Sequence, residues 1–581
     1  MYGVAGVGIA SSLAVPGVFM TDGRTMLYLF VFSSLLCAFL LFLRFSYSAA
    51  RSCLTFSAVC LGSWMVLALC TGGPPMPLHH VLAGASAWLY YVAVKNLFGK
   101  VSPGAVRPVL WGVVAALALQ GVCGMAEILR RMACGVPHTM VGGLFDNPIG
   151  LASACAVACP FLLCAAFFRP APRRLRMAAV VLLTLFLGLM LLLVSRTALV
   201  ATVWMCLLVG LRRFPVLWRR RRRWLAGVSL GCLLLAAGSY CLKKDSADGR
   251  LLVYRCSAQL IAGRPFFGHG TTGFKAGYMP VQAAYFRAHP DSRFVPLAGN
   301  VYTPLNDYLL WLVQYGLAGV LPLVLMGAGA CVVIRRGRYA WEYWLPGTVL
   351  AGVGAMSLFS YPMTYPFMWW VVLTVAAWVF RREQPLLRLP AEPRAAYVLA
   401  GAAVCLSAMA CRGAGLELRW RSAAAVAGRY GPSRALDAYA RLASGLSHHP
   451  DFLYNYAVLM NAAGHAAESD SLLDHYAPYG ADTHVRLLAA DNALQRNDAA
   501  RAGHLLWNAY FMAPVRFIPL YRLFRLYRAQ DDTLRARQVA RLIREKPVKV
   551  PSEEVDWIKE EAGAYCAERG ARVSRGGRGM P

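Results

Sequence analysis

Long apolar runs separated by short Arg-rich connectors continue as far as residue 411 and then stop. A helix needs about 20 apolar residues to cross a bilayer, because no water in the hydrocarbon can bind a bare backbone amide. We find about thirteen runs of that length. They lie near residues 2–20, 25–43, 53–70, 79–98, 108–123, 148–168, 177–194, 197–211, 224–242, 306–334, 341–360, 364–380 and 395–411. The fold class predicted is all-α, a polytopic transmembrane helical bundle followed by a polar tail.

The basic residues of the connectors predict how this bundle is oriented. Lys and Arg in short connectors resist translocation and mark the cytoplasmic side. They are concentrated in alternate connectors, whereas the intervening ones are short and nearly neutral or longer and rich in mixed polar residues. The basic set comprises Arg44 and Arg51; Lys95, Lys100 and Arg107; Arg169, Arg173, Arg174 and Arg176; Arg212, Arg213 and residues 219–223; Arg335, Arg336 and Arg338; and Arg381, Arg382, Arg388 and Arg394.

The first apolar run and the formal net charge of +31 each have an alternative interpretation. The run has neither the charged start nor the small-residue cleavage site of a signal peptide, so we interpret it as a span. The arginines at residues 219–223 are interpreted as a topology determinant that touches anionic lipid headgroups, and no nucleic-acid partner is expected.

With thirteen spans and a cytoplasmic start, everything after residue 411 faces outward, and an even span count would invert it.

The 17 cysteines lie mostly in the predicted spans, where they serve as small apolar packing residues. None has the spacing of a Cys or Cys/His metal site, so neither a disulfide framework, nor a zinc site, nor any other metal or cofactor is expected. The tail histidines are scattered and are predicted to be surface residues. They are His448, His449, His465, His475, His484 and His504.

From residue 412 to about residue 560 the composition turns polar, and apolar residues recur at helical spacing. A register of 34 residues is visible, the period of tetratricopeptide repeats, in which stacked helix pairs bury one another's apolar faces. Its equivalent positions are Tyr456, Ala490 and Phe524; Leu459, Ala493 and Tyr527; and Gly464, Asp498 and Asp532. We predict a soluble α-solenoid over 412–560 that offers a surface to a protein or glycan partner. Residues 561–581, rich in Gly and Arg toward their end, are predicted to be disordered.

Polar residues concentrate on the predicted outer side of the bundle, where functional residues of such proteins are best sought. The connector before the sixth span carries Arg130, and Asn147 opens that span. Arg196 lies between two spans in a connector too short to be a loop, so it is held at the membrane surface. Arginines fixed there suit a lipid-linked phosphate or pyrophosphate, because the guanidinium pairs with two phosphate oxygens and stays charged. Snorkelling toward headgroups is the alternative.

The largest outer segment, about residues 243–305, carries further candidates and leads into the tenth span. They are Arg250, Arg255, Arg264, His269 and His289, followed by Asn306 and Asp307 at the start of the span.

The order of six short motifs resembles the O-antigen ligase and O-antigen polymerase superfamily. The motifs are Phe-x-Asn-Pro at 145–148, Ser-Arg-x-Ala at 195–198, Gly-Arg at 249–250, a Pro- and Gly-rich loop ending in Phe at 265–274, Asn-x-Tyr-Leu at 306–309 and Gly-Leu-x-Gly at 316–319. The resemblance covers about residues 20–385, within a membrane domain of residues 1–411. Each motif is a few common residues, so the ordered series on one membrane face carries the resemblance.

The resemblance implies a membrane glycosyltransferase of the C type, in the bacterial inner membrane, with its active site and its tail in the periplasm. The donor would be a glycan on undecaprenyl pyrophosphate, and no metal or nucleotide sugar is required. The acceptor would be the lipid A core in a ligase, another lipid-linked repeat unit in a polymerase, or a Ser or Thr in protein O-glycosylation. Arg196 and Arg250 match the family arginines that hold the pyrophosphate, while Arg255 and Arg264 are secondary candidates for substrate binding.

One departure from the family concerns the general base. Many ligases have His immediately before the Asn of Asn-x-Tyr-Leu, and this chain has Leu305 there. Leucine cannot accept a proton, so Asp307 beside Asn306, or His269 or His289 in the loop, would substitute, or the reaction needs no dedicated base or differs from that of the ligases. Asp307 has a second interpretation, a helix-start residue favoured by the dipole.

Two other classes of function remain open at this stage. A transporter or flippase would also have many spans, but transporters carry inverted repeats, broken helices and polar residues near mid-membrane. A non-catalytic scaffold would depend on its tail and tolerate lysine at the outward arginines. A transferase predicts the reverse, because lysine cannot form the two-pronged contact.

Overall fold

The computed structural model describes residues 23–44, 53–70, 73–100, 107–135, 141–143, 147–168, 172–213, 227, 244–337, 340–386 and 393–576. Within these residues the chain forms 21 α-helices and a single isolated β-bridge, between Thr55 and Pro385. The membrane part contains α1 (Gly23–Arg44), α2 (Phe56–Cys70), α3 (Leu78–Lys100), α4 (Arg107–Ala133), α5 (Pro148–Leu163, continued by a π turn at Cys164–Phe168), α6 (Arg173–Leu192), α7 (Arg196–Arg213), α8 (Lys244–Gly263), α9 (Gly273–Ala288), α10 (Asp307–Arg336), α11 (Trp341–Phe359), α12 (Pro366–Val379) and α13 (Pro393–Tyr430).

The all-α prediction is confirmed for the described residues. A helix overlaps each predicted span that the structure describes, while the predicted spans at 2–20 and 224–242 and the arginines at 219–223 lie outside the described residues. Five of the described helices are long and apolar enough to cross a bilayer, namely α3, α5 with its π turn, α6, α10 and α13. The total number of spans stays a prediction.

Polar side chains inside the bundle are paired across helices. The Tyr90 hydroxyl lies 2.7 Å from Thr374 Oγ1, and the Trp370 indole donates to Ser34 Oγ at 2.7 Å. Such groups need protein partners because the surrounding apolar atoms supply none. These contacts fix α3 and α1 against α12, where the largest apolar core of the molecule lies.

Two of the basic residues predicted to mark cytoplasmic connectors have a different role. Lys95 lies inside α3 with only 3% of its side chain exposed, and its Nζ is 2.6 Å from Glu383 Oε2. Arg381 is 2% exposed and donates to Glu342 at 2.6 Å. Lys95 therefore does not lie in a connector as predicted, whereas Arg381 does lie in the turn after α12 but is buried there. Each buried charge needs a carboxylate to compensate it.

Helix α10 is broken at Gly316, which has φ 61° and ψ −166°. The loop before α9 inserts there: the amides of Leu317 and Ala318 donate to the carbonyls of Pro265 and Phe266, both at 2.9 Å. A Cβ on Gly316 would overlap the Phe266 carbonyl. The Pro- and Gly-rich loop and the Gly-Leu-x-Gly motif are thus two halves of one contact, which supplies partners for the backbone groups freed by the break.

The tail consists of helix pairs. They are α14 (Leu436–Ala443), α15 (Pro450–Ala462), α16 (Ala466–Tyr476), α17 (Thr483–Gln495), α18 (Ala499–Met512), α19 (Ile518–Ala529), α20 (Thr533–Glu545) and α21 (Glu553–Gly576). The apolar positions of the 34-residue register are buried on α15, α17 and α19. Asp498 and Asp532 cap the start of α18 and α20. Helix α13 runs without interruption through the predicted domain boundary at residue 411. The tetratricopeptide-like assignment stays a prediction.

The tail also contacts the membrane part directly. Gln282 on α9, fully buried, donates its amide to the Met512 carbonyl at 2.5 Å. Further hydrogen bonds join Ala481 N to Lys275 O, Thr272 Oγ1 to Pro478 O, Thr483 Oγ1 to Asn300 Oδ1, Tyr302 OH to Asp482 Oδ2 and Tyr479 OH to Pro75 O. The tail is therefore held against the segment that carries most of the predicted site residues.

Candidate functional site

Arg196 is the first residue of α7, directly after a reversal of the chain. Helix α6 ends when the Val194 amide bonds to the Leu191 carbonyl and the Ser195 amide to the Met190 carbonyl. Val194 has φ 52°, the left-handed conformation that ends many helices. Arg196 is thereby fixed at the helix N-terminus, where a cation is unfavourable and an anion is attracted. Its position indicates a place that gains from a bound negative charge.

Arg250 and Asn306 bind the last carbonyls of α11, at the end of the bundle that we call the arginine rim. Arg250 Nη1 donates to the Phe359 carbonyl at 3.2 Å, and Asn306 Nδ2 donates to the Leu358 carbonyl at 2.9 Å. The last carbonyls of a helix carry negative partial charge, which stabilises a guanidinium there. Arg250 is half-buried.

The packing of α7 against α11 places Arg196 at this same end. Trp344 Nε1 donates to the Leu208 carbonyl at 3.0 Å, and Met205 lies against Gly352. The contact moves back along α11 as it moves forward along α7, so the two helices are antiparallel. Because each residue adds about 1.5 Å, Arg196 lies level with the last turn of α11, where Arg250 binds. The two arginines lie at one end of the bundle.

Asp307 is the buried acid of the site. Asn306 caps α10 by accepting from the Leu309 amide at 3.1 Å, so Asp307 does not cap its own helix. It is 1% exposed, and its Oδ2 accepts from Ser357 Oγ at 2.9 Å and from the Met363 amide at 3.1 Å. Its Oδ1 is buried with no hydrogen-bond partner within the described part of the chain. The carboxylate therefore faces α11 and the turn after it, which the helix-dipole interpretation alone does not explain.

The histidines considered as alternative bases lie apart from this acid. His269 Nε2 lies 2.8 Å from the Leu260 carbonyl, and the His269 backbone amide donates to the Val313 carbonyl of α10. His289 is exposed at the end of α9, stacks on Tyr285 and has Nδ1 3.0 Å from that residue's carbonyl. In each ring one nitrogen is occupied by a local carbonyl.

The remaining predicted residues lie on different elements: Arg255 and Arg264 on and after α8, Asn147 before α5 and Arg130 on α4. Arg255 is exposed and its guanidinium lies 5.0 Å from the Tyr285 ring centroid, while Arg264 is exposed at the start of the loop. Asn147 caps α5 by accepting from the Ile149 amide at 2.9 Å. Arg130 is exposed in the last turn of α4. Neither the Asn147 cap nor the contact between Arg255 and Tyr285 involves Arg196, Arg250 or Asn306.

Backbone strain marks two of the predicted sites. Among the described residues four non-glycine residues have positive φ, and the two in the membrane part are Val194 and Leu305, with φ 52° and 56°. Each comes directly before a site motif, Ser195 with Arg196 and Asn306 with Asp307. A left-handed conformation costs an L-residue about 1–2 kcal/mol. Strain of this kind clusters at functional sites, where surrounding structure holds it in place.

Sequence reasoning missed the part of the site contributed by α11. Ser357 and the carbonyls of Leu358 and Phe359 come from an apolar run. Every residue has a backbone carbonyl, so the sequence cannot indicate which carbonyls bind a side chain. Nothing in the sequence distinguishes Ser357 from any other serine in a predicted span.

A family model described as O-antigen ligase matches residues 179–324. No curated protein matches the chain. The matched stretch runs from α6 into α10 and contains Arg196, Arg250 and Asp307, whereas α11 and the tail lie outside it. The match supports membrane glycan transfer of the O-antigen ligase type at the level of the family.

Proposed function

We propose that this protein is an inner-membrane transferase that moves a glycan from undecaprenyl pyrophosphate to the lipid A core on the periplasmic face. The observation that carries the proposal is the shared rim: Arg196 and Arg250 lie at the end of the bundle where Asp307 is buried. Two arginines at the end of the bundle that also holds a buried carboxylate suit a reaction in which a diphosphate leaves and a hydroxyl loses its proton.

The chemistry assigns a role to each of these groups. An acceptor hydroxyl oxygen forms a bond to the anomeric carbon, and the bond from that carbon to the pyrophosphate oxygen breaks. Negative charge develops on the leaving diphosphate, and Arg196 and Arg250 hold it there. Asp307 takes the hydroxyl proton through Oδ1, which accepts no hydrogen bond from the described residues; because this oxygen is buried, binding of the acceptor must expose it.

An arginine-to-lysine series tests the clamp. Arg196→Lys and Arg250→Lys keep the charge but lose the planar two-pronged contact. We expect each to lower transfer at least about tenfold, and the alanine variants about 10²–10³-fold, the cost of removing one preorganised donor. Arg287→Lys is the matched control, since Arg287 is exposed and contacts the Phe511 ring at 5.5 Å. Full activity in both site variants would contradict the proposal.

Gel analysis of lipopolysaccharide from a deletion strain identifies the acceptor. Loss of all long chains with accumulation of lipid-linked polymer indicates a ligase. A core that carries one repeat unit indicates a polymerase, and unchanged lipopolysaccharide with unglycosylated protein indicates a protein O-oligosaccharyltransferase.

The break in α10 is a feature shared with transporters, which use broken helices to bind ions or substrates. Here the amides of Leu317 and Ala318 are already taken by the carbonyls of Pro265 and Phe266. The break thus supports a loop docked by backbone hydrogen bonds, which favours transferase over transporter.

A further inference from the structure

A second cluster of ionisable side chains lies where the tail meets the membrane part. His79, Glu417 and His449 approach one another so that one ligand atom from each lies within 4.8 Å of the other two. They come from the start of α3, the middle of α13 and the residue that caps α15. Three elements far apart in sequence therefore bring two imidazoles and a carboxylate to one point, separate from the arginine rim.

The cluster is buried. Glu417 is 4% exposed and His449 is 6% exposed, while His79 is half-buried. His449 Nε2 lies 3.2 Å from Glu417 Oε1, and the Tyr28 hydroxyl on α1 donates to the same oxygen at 2.8 Å. A buried carboxylate requires positive charge or strong donors around it. An imidazole supplies charge to the carboxylate only when it is protonated, and the Tyr28 phenol supplies a donor without charge.

We propose that His79, Glu417 and His449 form a site for a divalent transition metal, best suited to Zn²⁺. Two histidines and one glutamate with an open fourth position are a ligand set that zinc accepts. Tyr28 would orient the ligating carboxylate from outside, as such partners do in known sites. The ion would join the bundle to the tail, since its three ligands come from α3, α13 and the start of α15.

The distances between the three ligand atoms fit Zn²⁺ after a small movement of His79. Zinc bonds of about 2 Å in tetrahedral geometry place ligand atoms about 3.3 Å apart. The His449 to Glu417 separation of 3.2 Å already matches. His79 must close the remaining gap; its ring centroid already lies 5.0 Å from that of His449, and its side chain is half-buried.

Metal binding also requires a change of tautomer at His449. In the structure, Nδ1 accepts from the Phe452 amide at 3.4 Å, so Nε2 carries the proton and faces Glu417. An ion on Nε2 moves the ring proton to Nδ1 or releases it to solvent. The hydrogen bond from the Phe452 amide is long and weak, so giving it up costs little. The hydrogen-bonded pair of His449 and Glu417 is then the metal-free state, in which a proton on Nε2 occupies the place of the ion.

Metal binding by the full-length protein in detergent tests the site directly. After chelation and desalting, we expect one Zn²⁺ per chain to rebind and to raise the unfolding temperature, because an ion that binds only the folded state stabilises it. Co²⁺ in the same site is expected to give the visible absorption of a four-coordinate ion. Both measurements use the unaltered chain and are independent of transferase activity.

Matched variants locate the ion. His79→Ala and Glu417→Gln are expected to weaken Zn²⁺ binding at least about 10–100-fold, the scale reached even by loss of an outer partner. His504→Ala, which removes an exposed histidine of α18, should bind as the unaltered chain does. The proposal is overturned if the unaltered folded protein binds no Zn²⁺ or Co²⁺, or if His79→Ala retains the same affinity and Co²⁺ spectrum.

Discussion

At the scale of single residues, the candidate site consists of charged groups and strained residues at positions where such groups are uncommon. Arg196 lies at a helix N-terminus, Asp307 is buried with one oxygen that has no partner among the described residues, and Val194 and Leu305 have left-handed backbones. Such placements generally cost free energy, and each borders one of the short sequence motifs described above. Their convergence at one end of the bundle argues for function more strongly than any one of them.

Asp307→Asn tests the acid. Asparagine keeps the shape and can still accept from Ser357 and the Met363 amide through its oxygen, but it cannot take a proton. We expect transfer to fall about 10²–10⁴-fold, the usual contribution of a general base, with little change in thermal unfolding. Asp291→Asn, in the exposed turn after α9, is the control that should retain activity. Equal activity in both variants would reduce Asp307 to a structural residue.

Val194→Gly tests the strain before Arg196. Glycine removes the left-handed penalty of about 1–2 kcal/mol and loses about 0.4–1 kcal/mol through greater freedom of the unfolded chain. A net stabilisation of about 0.5–1 kcal/mol is expected, read as a higher unfolding temperature in detergent. Val203→Gly, at an exposed position inside α7, should lower stability by about 0.5 kcal/mol. A destabilised Val194→Gly variant would show that the valine side chain contributes more than its strain costs.

At the scale of secondary-structure elements, the docked loop and the broken α10 depend on each other. Two hydrogen bonds run from Leu317 and Ala318 to the loop, and two more run from His269 and Gly270 to the Val313 and Gln314 carbonyls. Gly268 approaches the backbone of Gln314 so closely that a Cβ would overlap it. Both motifs therefore need glycine because the backbones of the loop and of α10 come too close to leave room for a Cβ atom.

Gly316→Ala tests this junction. Its backbone conformation is one that glycine adopts almost alone, and the added methyl group would meet the Phe266 carbonyl. We expect a destabilisation of about 2–3 kcal/mol and loss of transfer. Gly327→Ala, lower in the same helix with no atom within 4 Å of the added carbon, should be neutral or slightly stabilising. Similar unfolding temperatures for the two variants would contradict the docked loop.

At the scale of the whole molecule, the tail is attached by polar contacts as well as by α13. Gln282 connects three groups, since it donates to the Met512 and Gly299 carbonyls and accepts from the Tyr278 hydroxyl. His79, Glu417 and His449, proposed above as metal ligands, lie at another point where the tail meets the membrane part. The tail therefore has a defined position over the segment between α8 and α10.

Gln282→Ala should loosen the tail. It leaves the buried Met512 carbonyl without this donor, a cost of about 1–3 kcal/mol. Faster hydrogen exchange at the end of α18 is expected, with exchange inside α6 and α7 unchanged. Gln259→Ala, at an exposed position of α8, is the control. Identical exchange at α18 in both variants would mean that the other tail contacts suffice.

The amino-acid sequence by itself determined the helical class, the positions of most spans and the order of the motifs, because apolar length and helical periodicity are local properties. It misjudged residues whose role depends on distant partners. Lys95 was taken for a connector charge and His449 for a surface histidine, yet Glu383 and Glu417 meet them in the fold. The other five tail histidines are exposed as predicted.

Only the tertiary structure decided which polar groups share a site. It brought Arg250 and Asn306 to the carbonyls that end α11, turned Asp307 toward Ser357, and joined the Pro- and Gly-rich loop to the break in α10. These contacts link residues roughly 50 to 110 positions apart through backbone carbonyls and buried oxygens, which no local pattern of residue types encodes. Buried polar atoms must find partners, and the packing of the helices determines which partners are within reach.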